Sequence, residues 1–89
     1  MNQELFERML NFYVSDLASP LGWTTLVIVE TRGNLFCARA RFEFPNGGMV
    51  VSKVKCDRAL PEQFIRSKAA DLVRSALDMM LVADESLTL

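Results

Sequence analysis

The sequence predicts an α+β fold of order α-β-β-β-α: a helix, a three-stranded antiparallel meander and a second helix, with both helices packed on one face of the sheet. Three observations carry this expectation. Apolar residues recur at helical spacing near both ends of the chain, they alternate with polar residues through its middle, and Pro, Gly and Asn punctuate the boundaries. The chain has 89 residues, 51% apolar and 24% charged, which suits a single compact domain spanning residues 1–89.

The first helix is expected from Asn2 to Ser19. Phe6, Met9, Leu10, Tyr13 and Leu17 form its apolar stripe, while Glu4, Glu7, Arg8, Asn11 and Ser15 lie away from it. Pro20 disfavours helical geometry at Ser19, and Gly22 frees the turn that follows. Trp23 to Arg32 is rich in β-branched residues and reads as a strand, closed by a tight turn at Gly33-Asn34. The second strand, Leu35 to Phe44, alternates most clearly. Phe36, Ala38, Ala40, Phe42 and Phe44 share one face, and Cys37, Arg39, Arg41 and Glu43 share the other. Pro45-Asn46-Gly47-Gly48 turns the chain into a third strand, Met49 to Cys56. A second helix opens with Pro61 in its first turn, buries Ile65, Ala69, Leu72, Ala76 and Met80, and is expected to end near Ala83. Asp84 to Leu89 has no stripe of its own and is expected to fray or to dock through its leucines.

Strand register follows from charge. An even loop in the second hairpin would set Phe42 opposite Val51 and bury Lys53 under the helices, which is costly. An odd loop, such as Pro45 to Met49 with Phe44 opposite Val50, turns Val50, Val54 and Cys56 inward and Val51, Lys53 and Lys55 outward. A two-residue turn at Gly33-Asn34 likewise directs Trp23, Thr25, Val27 and Val29 inward, leaving Thr24, Leu26, Ile28 and Glu30 outside. The helix-free face then carries Arg39, Arg41, Lys53 and Lys55 against Glu30 and Glu43, with Leu26, Ile28, Val51 and Cys37 between them. Cys37 and Cys56 fall on opposite faces, which keeps both thiols free.

Several chemistries lose their usual residues. The chain has no histidine, so the commonest general base and zinc ligand are missing. No phosphate-cradling glycine motif is present, and Ser67-Lys68 are neighbours on a helix that do not face each other. No enzymatic activity, catalytic residue, metal or cofactor is therefore expected. The longest apolar runs, Leu26 to Val29 and Met79 to Ala83, fall far below the roughly 18 residues needed to cross a bilayer, so no membrane partner is expected. Met1-Asn2-Gln3-Glu4 lacks the basic start of a signal peptide, and two cysteines do not make a disulfide framework. A cytoplasmic location is expected. The net charge of −1 leaves only local basic surface.

Two readings of the basic and apolar sheet face stand side by side. In one, the long Arg and Lys stems cover the aliphatic residues and keep their charges in water. In the other, the face docks on the acidic surface of another protein. Arg39, Arg41, Lys53 and Lys55 would then be the charged contacts, and Leu26, Ile28 and Val51 the desolvated centre. The second is the leading functional expectation: a small inhibitor or regulator, of the kind phage and mobile elements encode. A homodimer through this face, or through the second helix with Met79 and Met80, is a further expected arrangement.

The order helix, three strands, helix is similar to that of double-stranded RNA-binding domains over most of the chain, at the level of topology. That resemblance implies contacts to phosphates from the first helix, the loop between the first two strands and a lysine cluster opening the second helix. At those places this chain has Glu4 and Glu7, Arg32, and Pro61-Glu62-Gln63-Phe64-Ile65-Arg66-Ser67-Lys68. Nucleic acid is accordingly the less favoured partner.

Overall fold

The computed structural model describes the backbone of residues 1–88 and the side chains of residues 1–82. Helix α1 (Gln3–Ala18) and a 3-10 turn (Ser19–Leu21) lead into β1 (Thr24–Arg32), β2 (Leu35–Glu43) and β3 (Met49–Asp57). A second 3-10 turn (Glu62–Phe64) then runs into α2 (Ile65–Thr88). The sheet is an antiparallel meander in the order β1-β2-β3, and the helices cover one face of it, as expected.

Helix α1 and the two hairpins are set by bonds that the sequence supplies locally. The Asn2 side chain caps α1 by accepting from the Leu5 N–H at 2.8 Å. In the first hairpin Arg32 pairs with Leu35 across the two-residue turn, where Gly33 takes positive φ and Asn34 does not. The second hairpin closes over three residues. The Phe44 N–H donates to the Gly48 carbonyl, the Gly47 N–H donates to the Phe44 carbonyl, and Gly47 adopts φ +91°.

This loop corrects the expected pairing. Phe42, not Phe44, stands opposite Val50, a slip of two residues along β3. A two-residue slip leaves every side chain on its own face, so the odd-loop assignment of inside and outside still holds.

The core joins Phe6, Leu10, Val14 and Ala18 of α1 to the inward residues of the sheet and to Ile65, Ala69, Leu72, Val73 and Ala76 of α2. Phe6 stacks on Phe36 at 4.6 Å, and Trp23 packs edge-on against Phe42 at 5.7 Å. Phe42 is fully buried and Phe44 packs partly against the core. Burying a leucine or phenylalanine stabilises by about 1.5–3 kcal/mol, so this layer is the main source of the fold's stability.

Three expectations about the helices are revised. Leu17, placed on the buried stripe, is exposed, while Val14 and Ala18 are buried. The stripe is rotated toward Glu7 and Asn11 because those two side chains turn to the rim of β1. Pro61 is extended, with ψ 142°, and lies before the 3-10 turn rather than inside α2. Helix α2 continues past Ala83 to Thr88. Docking of the terminal leucines lies outside the described side chains.

Sequence reading also passed over Ser52. It is completely buried on the inward face of β3, where its hydroxyl donates to the Leu72 carbonyl at 2.9 Å. This bond satisfies the fully buried polar side chain that the described residues place in that layer and ties β3 to the middle of α2.

Candidate functional site

The helix-free face of the sheet brings together all seven residues singled out from the sequence. Register places them in three adjacent rows: Leu26–Arg41–Val51, Ile28–Arg39–Lys53 and Glu30–Cys37–Lys55. Strand spacing of about 4.8 Å and about 6.8 Å between same-face rows make this a patch of roughly 10 by 14 Å. Leu26, Ile28 and Val51 remain 46%, 45% and 40% exposed, so the cationic stems do not cover them. Aliphatic surface is thus left open to solvent between the arginines and lysines of this face.

The four cations differ in their partners. Glu30 pairs with Arg32 at 3.3 Å and with Arg39 at 3.8 Å, and Glu43 pairs with Arg41 at 3.5 Å. These half-exposed pairs are each worth about 0–1 kcal/mol and hold the arginines loosely. Lys53 and Lys55 have no ion pair among the described residues. The two cations that form no ion pair therefore both lie on β3, with Asp57 the next residue beyond Lys55 on the same face.

The two rims of the sheet are built differently. Along β1, Asn11 accepts from the Val27 N–H at 2.8 Å and donates to the Val27 carbonyl at 2.9 Å, and Glu7 accepts from the Val29 N–H at 2.8 Å. Gln3 meets the Thr31 hydroxyl farther along. Thus α1 fills the centre of that rim with side-chain bonds. Along β3, the bonds Phe44 N–H to Gly48 and Arg58 N–H to Asn34 show that even-numbered residues pair with β2. The odd-numbered Val51, Lys53 and Lys55 therefore direct both backbone groups outward. Among the described residues nothing bonds to them.

The helix-covered side shows the same contrast. Val27 and Val29 on β1 are 1% and 2% exposed, whereas Val50 and Val54 on β3 are only half buried. Helix α2 stops short of covering the outer margin of β3.

The thiols occupy opposite faces. Cys37 lies half-buried on the open face between Glu30 and Lys55, and Cys56 is buried beneath the helices. Burial pushes the Cys56 thiol above its ordinary value, with the Lys68 ammonium opposing that shift. Both are free. Among the described residues no group of three or more Cys, Asp or Glu side chains is gathered to hold a metal ion. Among the described residues no helix is long and apolar enough to cross a membrane.

The surfaces that the RNA-binding resemblance would use are occupied otherwise. Glu7 is turned to β1, Arg32 is paired with Glu30, and Arg66 lies over the Tyr13 ring at 5.9 Å. Comparison with protein-family models, with curated proteins and with solved structures finds no match.

Asn11, Glu7 and Ser52 are the residues that sequence reasoning missed. A weak signal existed for the first two: Glu7 and Asn11 are four apart and border the apolar stripe, the position from which a helix side chain reaches a neighbouring strand.

Proposed function

We propose that this chain is a non-enzymatic interaction module, a small cytoplasmic inhibitor or regulator that docks its open sheet face on an acidic surface of another protein. The observation that supports it best is the exposure of Leu26, Ile28 and Val51 within a frame of four cations. Desolvating that aliphatic centre supplies affinity, and the cations supply orientation and a fast encounter with negative surface. Arg39 and Arg41 exchange weak internal pairs for partner carboxylates, and Lys53 and Lys55 gain partners they lack.

The test is the double variant Arg39→Glu with Arg41→Glu. Both residues point into solvent, so circular dichroism and thermal melting should stay close to the parent. An acidic protein captured by the parent in a pull-down should be lost from the variant, and undiminished capture refutes the reading. A duplex-RNA titration at low salt separates the alternative: salt-sensitive saturation would favour RNA, whereas this reading expects a flat response.

A further inference from the structure

The outer rim of β3 combines three features that do not occur together on the opposite rim, where Asn11 and Glu7 bond to the centre of β1. Val51, Lys53 and Lys55 present backbone N–H and C=O groups with no bonding partner among the described residues. The side chains of Lys53 and Lys55 stand beside those groups, on the open face, and form no ion pair among the described residues. On the helix-covered side, Val50 and Val54 remain half-exposed at the margin. A strand laid along this rim would satisfy the backbone groups, bring its own alternating side chains against the two lysines and complete the cover over the two valines.

We propose that the β3 rim receives an extended acidic segment of the partner protein as a fourth antiparallel strand, with carboxylates on alternate residues beside Lys53 and Lys55. This rests on the docking reading above and specifies how the partner is held. Charge selects the occupant. The register in which β3 fully overlaps a second copy of itself sets Lys53 directly opposite Lys53, and like charges facing each other across a ladder are destabilising. An acidic strand reverses the sign of that interaction. β3 also contains no proline or glycine, so its pairing rim is uninterrupted.

The probe is a capped seven-residue peptide with Glu at its second and fourth positions, Val at its sixth, and Thr or Val elsewhere. Its control carries Lys in place of both Glu. Binding is followed by fluorescence polarisation and by amide hydrogen exchange of the full chain. The Glu peptide should saturate below about 1 mM and slow exchange at Val51, Lys53 and Lys55, whose outward amides should exchange fast in the unbound chain. The Lys peptide should not bind.

Val51→Ala and Val51→Pro both remove the branched side chain, but only the proline removes the outward N–H. The alanine measures what the side chain alone contributes, and the proline should bind at least tenfold more weakly than the alanine. Lys53→Glu with Lys55→Glu should abolish binding. The exchange measurement on the parent stands even if Val51→Pro folds poorly.

Strand addition is overturned if the Glu peptide does not saturate, if it binds without protecting these amides, or if a folded Val51→Pro binds as tightly as Val51→Ala. It is equally overturned if light scattering shows a dimer in which the same amides are already protected, since the occupant is then a second copy. Loss of a captured acidic protein from the Arg39→Glu, Arg41→Glu variant, together with any of these results, leaves face docking standing and removes only the added strand.

Discussion

The rims of this sheet pose the same physical problem and meet it in different ways. On β1 the backbone groups of Val27 and the N–H of Val29 would face solvent, but α1 leans over the rim and Asn11 and Glu7 bond to them. On β3 the corresponding groups of Val51, Lys53 and Lys55 are left to water, and two lysines stand guard beside them. The first solution is geometric and permanent. The second is electrostatic and conditional, because lysine repels a like strand and attracts an acidic one. Under the proposal above, a helix at one rim and charge at the other leave β3 as the rim for an added strand.

The largest test of this contrast uses proline on adjacent residues of β3. Val54 donates to β2, so Val54→Pro removes a ladder bond and should cost about 3 kcal/mol or more, enough to unfold much of the population. Lys53 donates outward, so Lys53→Pro should cost only about 1 kcal/mol and leave a cooperative thermal melt. Equal damage from both would mean that the outward groups of β3 are not free.

Opening the other rim comes next. Asn11→Leu leaves both backbone groups of Val27 without their partner and should cost about 3 kcal/mol, lowering Tm on the order of 15 °C. The variant should also self-associate with rising concentration, visible by light scattering, because β1 then has an unblocked rim of its own. A stable, strictly monomeric Asn11→Leu protein would contradict the role given to α1.

Ser52→Ala probes how firmly β3 is tied to α2. Loss of the bond to the Leu72 carbonyl should cost about 1 kcal/mol, read as a lower urea midpoint with unchanged slope.

The smallest effect concerns the thiols. Cys56 is held above its ordinary value of 9.0 by burial. The unfolded chain therefore releases that proton first as pH rises, so the contribution is intact below 9.0 and is lost as pH climbs through the folded-state value. Chemical denaturation from pH 8 to 10 should show this decline, and Cys56→Ala should flatten part of it. A thiol reagent at neutral pH should label Cys37 well before Cys56.

Sidedness was legible in the sequence and position along the strand was not, for a physical reason. A one-residue slip of β3 would have driven Lys53 beneath the helices, so the charge pattern forbids it. A two-residue slip changes no side chain's face, and the pattern is blind to it. Only the hydrogen bonds of the Pro45-Asn46-Gly47 loop decide that Phe42 meets Val50. The seven residues of the open face were legible because sidedness alone gathers them. The blocked β1 rim was not, because it depends on how far α1 is rotated, and the apolar spacing allowed Leu17 or Val14 to face inward. The backbone of β1 made the choice by engaging Glu7 and Asn11.

The bonds from Asn11 to Val27 also set the valency of the protein. A sheet with two receptive rims can be a link, passing strands from one molecule to the next until a fibre forms. With the centre of one rim filled by its own helix, the strand addition proposed above makes this sheet a terminus: it would accept one strand, and growth would stop there. Complexes built on it should therefore be stoichiometric rather than polymeric, one chain to each segment it engages.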